Sequence, residues 1–189
     1  MLDRARARLN SYLAALGRAF ARVAPSPTAW TVVGFFLALL AGVAYCSPGY
    51  SRGFAAGVLI LASGFFDIVD GSVARVVGKV SKRGAFLDST LDRLAEVAVY
   101  FGLLVGGFST GPLVLLALSL SLLVSYTRAK ADSLGMSLSG VGIGERSERL
   151  LVLAFSSILG LTYWGVVFVA VTASFTFVER AYRASMALG

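Results

Sequence analysis

The 189-residue sequence contains no histidine. That closes off His-based acid–base relays, Ser-His triads and the usual zinc sites. Any proton transfer falls to a carboxylate or to water. A single cysteine, Cys46, excludes an internal disulfide and reads as a small apolar filler at a helix end. Charge is scarce as well: 14% of residues are charged against 57% hydrophobic. The mean hydropathy of +0.81 belongs to a membrane protein rather than to a soluble core. No apolar run directly follows the first charges, which argues against a cleavable signal peptide. No repeat or low-complexity segment is present, and the size fits one helical bundle without a separate soluble domain.

The charge that remains is basic, with a formal net of +7. Its placement flanks apolar spans, so anionic lipid and topology explain it better than nucleic acid. Residues 2–22 carry Arg4, Arg6, Arg8, Arg18 and Arg22 among Leu9, Tyr12, Leu13, Leu16 and Phe20. This spacing predicts a basic amphipathic helix lying on the membrane surface. Pro25-Ser26-Pro27-Thr28 then breaks the chain, with Ser26 or Thr28 as possible caps. Six spans follow, over about 30–45, 53–75, 86–106, 112–131, 145–160 and 163–183. The expected fold is an all-α integral membrane protein. An interfacial helix (1–24) precedes a six-span bundle (25–189), with both termini cytoplasmic. In that arrangement 16 of the 17 lysines and arginines, and all ten acids, share one side, and only Arg52 lies opposite. By the positive-inside rule the crowded side is cytoplasmic, and the chemistry belongs there. Gly102 and Gly106 form a small-x3-small pair that suggests a tight helix contact, within the chain or across a dimer.

Four of the acids stand out. Asp67 and Asp70 are one helical turn apart, with Gly71 and Ala74 on the same face. Asp88 and Asp92 form a second pair at i and i+4. Two such pairs on neighbouring helices would bring four carboxylates together, repelling one another unless cations lie between them. Hard oxygen donors suit magnesium, manganese or calcium, and paired ions are a known solution for displacement at phosphorus. Plain salt bridges to Arg75, Lys82, Arg83 and Arg93 are the simpler reading. They would not need Gly71, Ala74 and Gly84 at these offsets. A cation transporter is a reading of another class, but the acids gather at one membrane face, and the far side offers no polar continuation.

The stretch 67–92 reads D-x2-D-G-x2-A-R-x8-G-x3-D-x3-D. It resembles the signature of the CDP-alcohol phosphotransferase family at every fixed position. The resemblance implies a metal-dependent enzyme of phospholipid synthesis, multi-pass in the cell membrane, with its active site facing the cytoplasm. It implies that Asp67, Asp70, Asp88 and Asp92 hold two divalent ions, Mg2+ or Mn2+. It places the CDP-lipid at Asp67, Gly71, Ala74, Arg75 and Gly84, makes Asp92 the catalytic base as well as a ligand, and carries an expectation of homodimers.

A second constellation is basic: Arg128, Lys130, Arg146, Arg149, Arg180 and Arg183 sit at three helix ends. Some of these are expected only to snorkel. Arginine forks grip phosphate oxygens in pairs, which suits an acceptor that brings its own phosphate. Glu145 and Glu148 are read as orienting these arginines, and Glu96 as a partner near Asp92 rather than a metal ligand. Residues 126–132 and 142–150 are similar to the corresponding helices of phosphatidylinositol-phosphate synthases and their archaeal ether-lipid relatives. This implies that Arg128, Arg146 and Arg180 hold the acceptor phosphate. The implied reaction transfers a diacyl- or dialkylglycerol phosphate group from a CDP-lipid to inositol 1-phosphate and releases CMP. Glycerol 3-phosphate is the alternative acceptor.

Overall fold

Proline, glycine and serine set the helix ends. The computed structural model describes residues 2–138 and 140–188, with side chains from residue 10 to 187 apart from Ser139. The described residues form seven helices and no strand: α1 (Leu2–Val23), α2 (Pro27–Tyr45), α3 (Tyr50–Val77), α4 (Lys82–Val105), α5 (Gly111–Ser133), α6 (Arg146–Ile158) and α7 (Thr162–Leu188). The side chains of Arg4, Arg6, Arg8 and Leu9 lie outside the described residues. Pro27 opens α2, and its missing N–H is no loss there. Ser26 holds the N-cap position, but its hydroxyl makes no capping bond. Gly78, at φ +68°, ends α3 in the left-handed conformation and returns its N–H to Ala74 O. Ser81 then caps α4 by accepting from the Gly84 N–H at 3.0 Å. The expected link over 76–83 thus narrows to 78–81, because both helices run further than their charges suggest.

Four helices, α2, α3, α5 and α7, are long and apolar enough to cross a bilayer. In α4 the first half is charged. With 13 residues, α6 is about 20 Å long, short of the roughly 30 Å hydrocarbon thickness. Large side chains such as Phe36, Phe101, Leu115, Phe155 and Phe175 point outward, while α2 turns Gly34, Ala38, Ala41 and Gly42 inward. Small residues inside and large ones outside is the packing pattern of helices in lipid.

The tightest crossing joins α2 to α4. A Cβ on Gly42 would sit 2.5 Å from Ala98 O, and one on Gly102 or Gly106 would run into the carbonyls of Gly42 or Tyr45. The small-x3-small pair therefore serves a contact within the chain. α1 lies on α3, with Leu13, Leu16, Gly17 and Phe20 partly or fully covered and Tyr12, Arg18 and Arg22 exposed. Phe20 meets Trp30, Phe65 and Phe66 edge-on, with Trp30 stacked on Phe66 at 5.7 Å. The core is filled by Tyr45, Val99, Tyr100, Leu103, Leu153 and Val166. Tyr45 Oη shares a 2.5 Å hydrogen bond with Ser157 Oγ.

Gly102→Ala is expected to lower stability in detergent by about 1–3 kcal/mol through overpacking. Gly64, also in α3's helical interior, has nothing within 4 Å of an added Cβ. Gly64→Ala should leave the melting temperature unchanged or raise it slightly. Equal melting of both variants with wild type would contradict this account of the crossing.

Candidate active site

The short link joins the end of α3 to the start of α4, and α2 packs against both helices, so the end of one and the start of the other share a level. Asp67, Asp70 and Asp88 converge there, each offering a carboxylate oxygen within 4.8 Å of the others. Asp70 is 7% exposed. Buried Asp70 Oδ2 and Asp88 Oδ1 have no hydrogen-bond partner within the protein. Buried anionic oxygens facing one another without donors suit a hard divalent cation, so the residues present fit Mg2+ or Mn2+.

Asp92 stands one turn further along α4 and is not one of this trio. Its Oδ1 is 2.9 Å from Arg146 Nη1, and the same nitrogen lies 3.9 Å from Asp67 Oδ2. Arg146 thus bridges the fourth carboxylate to the edge of the group.

Two clefts flank this acidic turn. The first, about 310 Å³, lies between the start of α2, the end of α3 and the start of α4. Thr31, Asp70, Gly71, Ala74, Lys79, Ser81, Gly84 and Asp88 are among its walls. Gly71 leaves open space where a Cβ would stand. Of the residues the sequence assigns to the CDP-lipid, Gly71, Ala74 and Gly84 therefore meet in one cleft. Asp67 lines a small cavity alongside, with Asp70, Asp92 and Arg146. Arg75 is exposed, does not line the cleft, and donates to Ser72 Oγ at 3.3 Å. Lys79 is the cation at this cleft, which sequence spacing did not single out.

The second cleft, about 360 Å³, is walled by Ser89, Asp92, Arg93, Arg128, Asp132, Glu145, Arg146, Arg149 and Arg180. Arg128, Arg146 and Arg180, the expected acceptor residues, all reach it. Lys130 and Arg183 do not line it, and Arg183 pairs with Glu179 at 2.6 Å. Arg93 joins the cleft unannounced. Its signal was its place beside Asp92, and it is steadied by a hydrogen bond to Ser89 O.

The arginines differ in how far they are committed. Arg180 is 2% exposed and donates to Val141 O at 2.9 Å, Val124 O at 3.0 Å and Glu145 Oε1 at 3.3 Å. Arg149 is bound to Glu96 at 3.0 Å, to Gly144 O at 2.5 Å and to Ser121 O at 3.4 Å. Arg128 has a looser 3.5 Å contact with Glu145 and 43% side-chain exposure. Glu145 and Glu148 form a reciprocal capping box at the start of α6, so both acids order the helix end that carries Arg146.

An apolar helical bundle with a carboxylate cluster suited to divalent cations, set between two polar clefts, defines a metal-dependent membrane transferase with room for two substrates. Residues 25–178 match the family model for CDP-alcohol phosphatidyltransferase, and the chain belongs to that family. The archaetidylinositol phosphate synthase of Pyrococcus horikoshii is 35% identical over 188 residues, spanning 100% of this chain and 98% of that protein. The protein of the same name from Methanothermobacter thermautotrophicus is 41% identical over 157 residues, 79% of this chain and 78% of the relative. Among solved structures, Mycobacterium tuberculosis phosphatidylinositol phosphate synthase in complex with manganese and citrate superposes with a TM-score of 0.79. It is 27% identical, with 91% of this chain and 88% of that chain covered. The same enzyme with CDP-DAG bound gives 0.77 at 26% identity, with 91% and 92% covered.

Asp70→Asn is expected to weaken Mn2+ binding at least tenfold, read by calorimetry on the detergent-solubilised protein, because a neutral amide replaces a buried anionic donor. Unchanged Mn2+ affinity in a folded variant would remove Asp70 from the metal site.

Proposed function

We propose that this chain transfers a diacyl- or dialkylglycerol phosphate group from a CDP-lipid to inositol 1-phosphate, releasing CMP. The carrying observation is the pair of clefts on either side of the acidic turn, the second walled by arginine. The names of the relatives at 35% and 41% identity favour inositol phosphate as acceptor over glycerol 3-phosphate.

In this reading the cytidine end lies against Gly71, Ala74 and Gly84, where small side chains keep the cleft open. The arginine cleft takes the acceptor: Arg128 and Arg146 grip its phosphate, and Arg180 holds the wall in place. The acceptor hydroxyl points back toward Asp92, which takes its proton. The hydroxyl oxygen then bonds to the lipid-bearing phosphorus. The bond from that phosphorus to the bridging oxygen of the diphosphate breaks, and CMP leaves with the bridging oxygen. Asp67, Asp70 and Asp88, with Asp92 completing the set, would hold two Mg2+ or Mn2+ ions, which would supply positive charge against the diphosphate.

The same proposal gives the chain six spans, with α1 at the interface and both termini on the cytoplasmic side of the cell membrane. The positive-inside distribution supports this orientation, since Arg52 alone lies at the opposite end. The chain is proposed to work as a homodimer. Against a transport role stands the filling beyond the acids, where Val99, Tyr100, Leu103, Tyr45 and Leu153 pack the bundle with apolar and phenolic groups.

Membranes supplied with a CDP-lipid and Mg2+ should release CMP with inositol 1-phosphate, and far less with inositol or glycerol 3-phosphate. CMP release with glycerol 3-phosphate alone would replace the acceptor. Mn2+ flux without any CMP would replace the function. Asp92→Asn should cut CMP release by about 10²–10⁴-fold, the usual share of a general base, while CMP binding persists. Full activity in that variant would refute the assigned base. Arg146→Ala should raise the KM for inositol 1-phosphate by roughly tenfold or more, with the KM for CDP-lipid within about twofold of wild type. An unchanged acceptor KM would reduce this arginine to a helix-end anchor.

A further inference from the structure

Two buried polar atoms near the site lack partners and complement each other. Glu96 lies one turn beyond Asp92 on α4, with its side chain 0% exposed. Its Oε1 accepts from Arg149 Nη2 at 3.0 Å and Nε at 3.3 Å, while Oε2 accepts from nothing. On the first residue of α6, Arg146 Nε is also buried and donates to nothing. Both residues line one small cavity of about 10 Å³, together with Ser63, Ala95, Val99 and Leu150. That is the room one water needs, and a water requires polar partners of both kinds. A carboxylate oxygen and a guanidinium N–H supply them. Neither atom has another partner within the protein.

We infer, on the acceptor reading of Arg146 given above, that Glu96 is a positioning residue for the acceptor site. One buried water accepts from Arg146 Nε and donates to Glu96 Oε2. That link fixes the Nε edge of the guanidinium plane, and a planar fork fixed at one edge has its Nη edge aimed as well. The aimed edge is the one that stands 2.9 Å from Asp92. Glu96 is itself held by Arg149, which is anchored on Gly144 O and Ser121 O. A continuous polar chain therefore runs from the backbone of α5 through Arg149, Glu96 and the water to Arg146. It sets the direction from which a phosphate is met. Glu96 touches no substrate in this arrangement and acts only through Arg146.

Glu96→Gln tests this. The variant keeps the volume and an oxygen for Arg149, but turns an amide donor toward a cavity that already holds the Arg146 donor. The KM for inositol 1-phosphate should rise about tenfold, the cost of one charge-assisted hydrogen bond, and affinity for inorganic phosphate should fall in parallel. The KM for CDP-lipid should stay within about twofold of wild type. A merely structural role would lower the melting temperature and raise both KM values together. That pattern, or an unchanged acceptor KM, overturns the assignment. If Glu96→Gln does not fold, the neutral pair E96Q/R149Q is judged by the same two constants. Wild-type protein that ignores inositol 1-phosphate would sink the function proposed above. Phosphate affinity compared between wild type and E96Q would then decide the role of Glu96 by itself.

Discussion

Mutual repulsion among Asp67, Asp70 and Asp88 is the constraint that the rest of the bundle serves. Two ionised carboxylates within 4.8 Å cost roughly 3 kcal/mol or more at an effective dielectric near 20. Left to themselves, the side chains would move apart. The fold holds their backbones at one level. Gly78 stops α3 and Ser81 starts α4 within four residues, so the two acidic turns cannot slide past each other. The glycine crossing of α2 on α4 and the seating of α1 on α3 hold both helices from behind. A site kept under this repulsion has one ready source of relief, which is positive charge placed among the oxygens. A divalent ion held there would be bound in part by the repulsion it relieves.

Positive charge near the acids is graded by mobility. Arg146 is 20% exposed and touches Asp92 and Asp67, so it offsets charge at the edge of the cluster without filling its centre. Arg128 is freer still, with a single 3.5 Å contact. Arg149 and Arg180 are fully committed to acids and carbonyls. A phosphate entering the second cleft would meet three guanidinium groups with spare donors, on Arg93, Arg128 and Arg146, backed by two that keep the walls in place. This separates the work of binding from the work of shaping, and one residue type performs both.

Much of this was legible in the sequence because it depends on local spacing. The pairs Asp67–Asp70 and Asp88–Asp92 are one turn apart in any helix, and proline, glycine and serine mark the turns that bring the helices together. The predicted spans therefore fall close to the observed helices. What stayed hidden depends on partners far along the chain. Glu96 meets Arg149 across 53 residues, and Tyr45 meets Ser157 across 112. Nothing in the spacing of arginines says which side chain of a long, flexible kind will turn inward. Arg75 keeps its motif position yet faces away from the cleft, whereas Arg93, which looked like a salt-bridge partner, lines one. Likewise, the separation of Asp92 from the other three acids follows from Arg146, a residue 54 positions later in the chain.

The burial of Arg149 and Arg180 follows from the shortness of α6. A helix of about 20 Å is shorter than the roughly 30 Å hydrocarbon core, and it begins beside Asp92 and Glu96. The described residues between α5 and α6 form neither helix nor strand, and Leu138 among them is 3% exposed. Irregular backbone at such depth is tolerable only where its carbonyls are satisfied within the protein. Arg180 satisfies Val141 O and also takes Val124 O, while Arg149 satisfies Gly144 O. Lysine could not replace either residue, because its compact ammonium cannot span carbonyls and a carboxylate with a fixed fork. The acids that meet them follow in turn. Glu145 and Glu96 neutralise guanidinium groups that the short helix made necessary, and Glu96 lies against Arg146 because of it. The polar interior around the second cleft thus goes with a helix that starts where Arg146 stands beside Asp92.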